Sequence, residues 1–148
     1  MIAYLDTSAL VKLYVSEEGS RAVRARVRGA EAVATSALAY AETRSAFARL
    51  VRSGHAGARQ HAQRVRRFNL DWDDYMRVEV APELIREAGD LAELHALRAF
   101  DGIHLASALW LKDRAAASVV FAVYDRRLHA AAEGAGLRVF PRRLSGRA

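Results

Sequence analysis

The chain has 148 residues, the size of one domain built around a single core, and no apolar run approaches the ~18 residues needed to cross a bilayer. It contains no cysteine, which excludes disulfides, thiolate zinc sites, iron–sulfur clusters and thiol nucleophiles, so any metal must be held by oxygen or imidazole. The net charge of +6 is uneven, with 12 basic and 5 acidic side chains in residues 1–70 against 11 and 12 in residues 71–148.

Met1 leads straight into a strand-like segment rather than a signal peptide, so one soluble, cytoplasmic domain over residues 1–148 is expected. Ile2 to Leu5 reads as a first strand, and Asp6-Thr7-Ser8 offers cap residues for a helix over 9–15. A second helix over 18–28 stops at Gly29, and a second strand covers 32–35. Ser36 reads as the cap of a long helix to about residue 53. Gly54 to Gly57 interrupts it before a further helical stretch to Arg67. Seven arginines and no acid lie from Arg44 to Arg67, which suits a polyanionic partner such as nucleic acid or simply reflects an Arg-rich, Ala-rich composition. Asp71, Asp73 and Asp74 read as a solvated turn.

A third strand is expected over 76–80, then a helix from Pro82 to about residue 95, where Pro is tolerated in the first turn. Asp101 opens a helix to Lys112, a fourth strand covers 119–124, a helix 128–133 and a fifth strand 137–140. The basic tail after it is expected to fray. Short apolar strands alternating with helices predict an α/β fold, a parallel sheet covered on both faces, whose ligands bind beyond the carboxyl ends of the strands. Neither GxGxxG nor GxxxxGK[ST] occurs, which counts against nucleotide cofactors.

Four carboxylates stand out by position. Asp6 and Asp125 follow the first and fourth strands, Asp101 opens a helix, and Glu42 lies six residues after Ser36, ~9 Å along a helix, close enough to share the same rim. The three aspartates also suit N-caps. Glu42 discriminates, because the positions three and four away hold Leu38, Ala39, Ser45 and Ala46, none of them basic. A carboxylate on such a small, apolar face needs a partner brought in by the fold. Hard divalent cations want oxygen ligands, and they activate water and neutralise a leaving oxygen at a phosphodiester.

The stretches Tyr4-Leu5-Asp6-Thr7-Ser8-Ala9-Leu10, Ala41-Glu42-Thr43-Arg44, Leu97-Arg98-Ala99-Phe100-Asp101-Gly102-Ile103-His104-Leu105-Ala106-Ser107-Ala108-Leu109 and Tyr124-Asp125-Arg126-Arg127-Leu128 resemble the PIN domain, and more closely the VapC toxins of bacterial and archaeal toxin–antitoxin pairs. The ordered set, spanning nearly the whole chain, carries the resemblance rather than any single motif. It implies a PIN-like sheet of about five parallel strands flanked by helices, a Mg²⁺- or Mn²⁺-dependent endoribonuclease that leaves 5′-phosphate and 3′-hydroxyl ends, a homodimer, and inhibition by a small antitoxin protein. By position, Asp6, Glu42, Asp101 and Asp125 would be the catalytic, metal-binding acids, and Thr7 or Ser8 would supply a hydroxyl near them. Many relatives carry Thr or Ser two residues before the last acid, where this chain has Val123, so a hydroxyl that would orient Asp125 is missing.

Other residues have plainer readings. His104 lies three residues after Asp101 and could reach the site, but its place between Ile103 and Leu105 favours a packed helix residue. Arg126 and Arg127 suit phosphate contacts or surface ion pairs equally. Two rival functions remain: a PIN nuclease of RNA processing without an antitoxin, and a non-catalytic nucleic-acid-binding module in which the acids are only caps. A haloacid-dehalogenase-type phosphotransferase is disfavoured, because position 8 is Ser8 rather than the second Asp of a DxD pair.

Overall fold

Ile2-Ala3-Tyr4-Leu5 is apolar at every position and buried at every position, as a central strand covered on both faces requires. It forms β1 (Ile2–Leu5) of the computed structural model, which describes residues 1–145. The last three residues of the predicted frayed tail lie outside the described residues. The other elements are α1 (Thr7–Val11), α2 (Ser20–Arg28), β2 (Ala32–Ser36), α3 (Ala39–Arg52), α4 (Ala58–Trp72), β3 (Met76–Val78), α5 (Pro82–His95), α6 (Ala99–Arg114), β4 (Val119–Ala122), α7 (Arg126–Gly134) and β5 (Arg138–Phe140).

All five strands pair in parallel in the order β3-β2-β1-β4-β5. The chain moves outward from β1 to β3 and then returns to the other side of β1 at β4, so strand order reverses between β1 and β4. Leu5 and Ala122 are in register there, and the carboxyl ends of these two strands flank the crevice where an open α/β sheet binds its ligand.

Side-chain alternation along β1 divides the interior in two. Ile2 and Tyr4 point into a core with Leu84 and Ala88 of α5, Leu105 and Leu111 of α6 and Leu128 of α7. Ala3 and Leu5 point into a second core with Leu10, Val23, Phe47 and Phe68 from the first four helices. Phe47 and Phe68 are fully buried, and each contributes about 2 kcal/mol through burial. Gly102 sets the approach of α6 to α5, because a Cβ there would lie 2.6 Å from the Ala88 carbonyl oxygen and 3.1 Å from the Ala92 Cβ.

Several predicted boundaries move. α1 ends at Val11, short of residue 15. Ser36 closes β2 instead of capping α3; its hydroxyl accepts from Leu38 N at 3.3 Å, and α3 begins at Ala39. α4 runs past Arg67 to Trp72, since Phe68 and Trp72 continue an i,i+4 aromatic stripe packed against Tyr40. Asp71 is therefore a helical residue, not part of a turn, and it accepts from Tyr14 at 2.9 Å and Arg67 at 3.0 Å. β3 stops at Val78 and β4 at Ala122. Among the described residues, no helix is long and apolar enough to cross a membrane.

Candidate active site

As the backbone leaves β1 it passes through an extended conformation at Asp6, whose carboxylate caps α1 by accepting from Ala9 N at 2.9 Å. The cap predicted for this residue is real, but the side chain is only 3% exposed and carries more than a cap needs. Ser8 Oγ lies 2.7 and 2.8 Å from the two carboxylate oxygens and donates to them, while accepting from Tyr124 N at 2.9 Å. One hydroxyl thus ties Asp6 to the end of β4. Burial pushes the Asp6 carboxyl up to about 6, against the charge of His104 and the hydrogen bonds from Ser8 and Ala9, with the Asp101 charge adding to the rise.

Glu42 projects from the first turn of α3. Burial works to raise its pKa, but the hydrogen bond and charge of His104, helped by Thr7 and Arg98, hold it below the ordinary carboxylate value. Thr7 Oγ1 donates to Glu42 Oε1 at 2.8 Å, and His104 Nε2 lies 2.9 Å from the same oxygen. His104 comes from α6 and is 2% exposed; its Nδ1 is 3.1 Å from the Tyr4 hydroxyl. An ionised Glu42 only accepts, so Nε2 carries a hydrogen. Tyr4, raised well above the ordinary tyrosine value by burial, stays protonated, and its hydroxyl faces the other ring nitrogen. His104 is packed, as its apolar neighbours predicted, and it also reaches the site, the alternative that its spacing from Asp101 left open.

Asp101 does not open α6, whose N-cap is Arg98; it sits in the first turn, where Arg98 Nε donates to its Oδ2 at 3.0 Å. Arg98 also brings Nη2 to 3.7 Å from Asp125 Oδ2. Asp125 caps α7 by accepting from Leu128 N at 3.0 Å. Val123 is fully buried in the core with Tyr4 and Phe121, so position 123 faces the interior.

All four predicted acids, with Thr7, Ser8, His104 and Arg98, line one cavity of about 800 Å³ at the carboxyl edge of the sheet. With Asp101 turned onto Arg98, no three His, Asp or Glu side chains among the described residues are drawn together tightly enough to hold an ion in this arrangement. The donor set nevertheless fits a hard divalent cation, being carboxylate and hydroxyl oxygen throughout. The guanidinium of Arg98, its side chain 78% exposed, stands in for a cation between Asp101 and Asp125.

The model of the PIN domain matches residues 3–134. This chain belongs to the PIN-domain family. Two relatives from Mycobacterium tuberculosis, Ribonuclease VapC45 of strain CDC 1551 / Oshkosh and Ribonuclease VapC49 of strain H37Rv, are each 41% identical over 147 residues, covering 97% of this chain and 97% of the relative. They place it among the VapC-type PIN domains. Solved structures agree in fold: that of FitAB bound to an IR36 DNA fragment gives a TM-score of 0.69 at 21% identity with 100% of both chains covered. A toxin–antitoxin complex from Klebsiella pneumoniae gives 0.65 at 14% identity, covering 97% of this chain and 99% of that one.

Sequence reasoning gave two residues of this PIN-domain site, Arg98 and Tyr4, no role in it, and assigned a third, His104, to packing. Arg98 was visible in principle, three residues before Asp101 on one helix face. Tyr4 had no signal beyond its place in an apolar strand, and the contact from His104 to Glu42 crosses 62 residues.

Proposed function

We propose that this PIN domain is a metal-dependent endoribonuclease and the toxin of a toxin–antitoxin pair. The observation that carries the reading is the gathering of Asp6, Glu42, Asp101 and Asp125 around one cavity at the switch point of the sheet. The names of the 41%-identical relatives support the choice of RNA as substrate, and the fold shared with proteins solved in toxin–antitoxin complexes supports an antitoxin partner. The protein acts in the cytoplasm as a homodimer.

Asp6, Glu42 and Asp101 would hold Mg²⁺ or Mn²⁺, with Asp125 completing or supporting a second position. The bound ion supplies Lewis-acid activation of water and neutralises charge on the leaving oxygen. The protein's own residues prepare the ground. Ser8 fixes the Asp6 carboxylate against β4, and Thr7 with His104 fixes the Glu42 carboxylate from two sides. Arg98 holds Asp101 and lies near Asp125, balancing like charges that would otherwise repel across the rim.

The deciding experiment is cleavage of total cellular RNA by the purified chain with Mg²⁺ and with EDTA, alongside Asp6→Asn, Glu42→Gln and Asp101→Asn. Activity should require the divalent ion and fall roughly 100-fold or more in each variant, the scale of losing several kcal/mol of charge stabilisation. Full activity in EDTA, or in two of the variants, returns the chain to the non-catalytic binding reading. Expression of the wild-type chain alone should arrest bacterial growth and Asp6→Asn should relieve the arrest; normal growth with abundant soluble protein would leave a PIN nuclease of RNA processing.

A further inference from the structure

A second cavity, of about 440 Å³, lies beside the edge strand β5 and is lined by Arg26, Arg138, Arg142 and Arg143, with Glu133 as its one acid. None of the four guanidinium groups forms an ion pair among the described residues. Arg26 stacks over the Phe140 ring at 4.6 Å, and its Nε is buried with no hydrogen-bond partner among the described residues. Four unpaired cations around one hollow repel each other unless an anion joins them.

The segment that carries Arg142 and Arg143 is pinned at both ends to α7. His129 Nε2 donates to the Pro141 carbonyl at 2.7 Å, and Arg126 Nη2 donates to the Ser145 carbonyl at 3.1 Å. Arg126 and His129 are about one helical turn apart, ~4.5 Å along the axis, so the segment crosses the first turn of α7. That turn is capped by Asp125, on the wall of the carboxylate cavity. The basic hollow and the candidate active site are therefore joined by one short, anchored strap.

The chemistry of the hollow points to a nucleic-acid backbone over a protein partner. Protein interfaces do use arginine, but they set it among exposed aromatic and aliphatic anchors. The exposed large apolar residues, Val51, Leu70, Met76, Ile85, Leu94, Phe100 and Trp110, are all absent from the residues lining this cavity. Its apolar lining is withdrawn from solvent, Val120 and Leu137 buried and Val139 and Phe140 partly so, and what it exposes is chiefly guanidinium forks, which bind phosphate in bidentate fashion.

We propose that this cavity is a phosphodiester-backbone site, which holds a stretch of RNA outside the bond being cut. The proposal rests on the ribonuclease reading for its ligand. The test substitutes the three exposed arginines as Arg138→Gln, Arg142→Gln and Arg143→Gln together, first on an Asp6→Asn background to measure binding of a long single-stranded RNA as salt is raised. Each lost phosphate contact removes ~0.7 from the slope of log affinity against log salt, so the slope should flatten by about 2. On the otherwise wild-type background, cleavage of a short RNA that spans only the carboxylate cavity should be unchanged, which shows that the variant is folded. An unchanged slope on the long RNA, with short-RNA cleavage intact, overturns the site and leaves an acidic protein segment as its partner. Failure of the wild-type chain to cut the short RNA fells the ribonuclease reading instead, and a flattened slope would still establish the backbone site.

Discussion

His104 Nε2 lies 2.9 Å from Glu42 Oε1, and the other ring nitrogen faces the buried hydroxyl of Tyr4 at 3.1 Å. The imidazole is thereby held edge-on by a β1 residue while it orients a carboxylate on α3. Groups that orient a metal-binding residue from behind are worth about 10–100-fold in metal affinity or activity. In His104→Ala, Glu42 and Tyr4 both lose a partner, so the Mg²⁺ concentration giving half-maximal RNA cleavage should rise by about that factor. His104→Gln, which keeps a donor, should recover part of the loss. A wild-type Mg²⁺ requirement in His104→Ala would reduce the residue to packing.

Asp6 links stability to pH. Its carboxyl has an ordinary value of 3.8 and is pushed by burial to about 6 in the fold. Below pH ~4 it is protonated whether the chain is folded or not, and its contribution to stability is fully present. Between these values the unfolded chain ionises first, so stability is lost as pH rises through the folded pKa, by about 3 kcal/mol above pH ~7. Asp6→Asn keeps the cap without the charge. In EDTA at neutral pH it should be more stable than wild type by up to about 3 kcal/mol, with the gap closing below pH ~4. Added Mg²⁺ should raise the melting temperature of the wild type alone. Denaturant titrations across pH check this, and an Asp6→Asn protein less stable than wild type in EDTA at neutral pH would contradict it.

The carboxylates and the strand that presents Asp6 were legible because local pattern determines both. An all-apolar run of strand length can be buried on both faces only inside a sheet, and an acid directly after such a strand lands on the rim. Glu42 was legible through what surrounds it: no basic residue lies one turn away, so the fold had to supply its partner. The identity of that partner was not legible, since no local spacing brings His104 of α6 to α3 or Tyr4 of β1 behind it. For the same reason Asp71 was misread. Its role as acceptor for Tyr14 depends on an aromatic cluster of Tyr14, Tyr40, Phe68 and Trp72 drawn from three separate stretches of chain. Asp101 and Arg98 fall between these cases, three apart in sequence, but the approach of Arg98 to Asp125 appears only once β4 lies beside β1.

Gly102 provides a test of packing close to the chemistry. A methyl group at this position would meet the Ala88 carbonyl of α5 at 2.6 Å, and a backbone oxygen inside a helix has little room to yield. Gly102→Ala should therefore destabilise the fold by about 1–3 kcal/mol, despite the better helix propensity of Ala. Because Asp101 is the neighbouring residue, cleavage should fall even at temperatures where the variant is folded. Chemical denaturation and single-turnover cleavage separate the two effects, and a Gly102→Ala protein as stable as wild type would show that α5 moves aside freely.

The arginines of α3 and α4 fall into two groups that the sequence could not distinguish. Arg49, Arg52 and Arg59 are exposed, and Arg49 lines the carboxylate cavity. Arg64 is half-buried, donates from Nε to the Tyr14 carbonyl at 3.1 Å and places its guanidinium 5.6 Å from the centre of the Phe47 ring. Its role is to fasten α4 to the segment after α1, so Arg64→Gln should cost about 1–2 kcal/mol of stability through a lost charged hydrogen bond and ring contact. The exposed trio should behave in the opposite way. Arg49→Gln, Arg52→Gln and Arg59→Gln together should leave stability within ~0.5 kcal/mol per site. If the arm draws RNA toward Glu42, the trio should flatten the salt dependence of single-stranded RNA binding by about 2, at ~0.7 per contact, when measured on an Asp6→Asn background. If the arm instead packs against a second copy or an antitoxin, that slope stays unchanged and the association state in sedimentation experiments shifts, which would remove this surface from the path of the RNA.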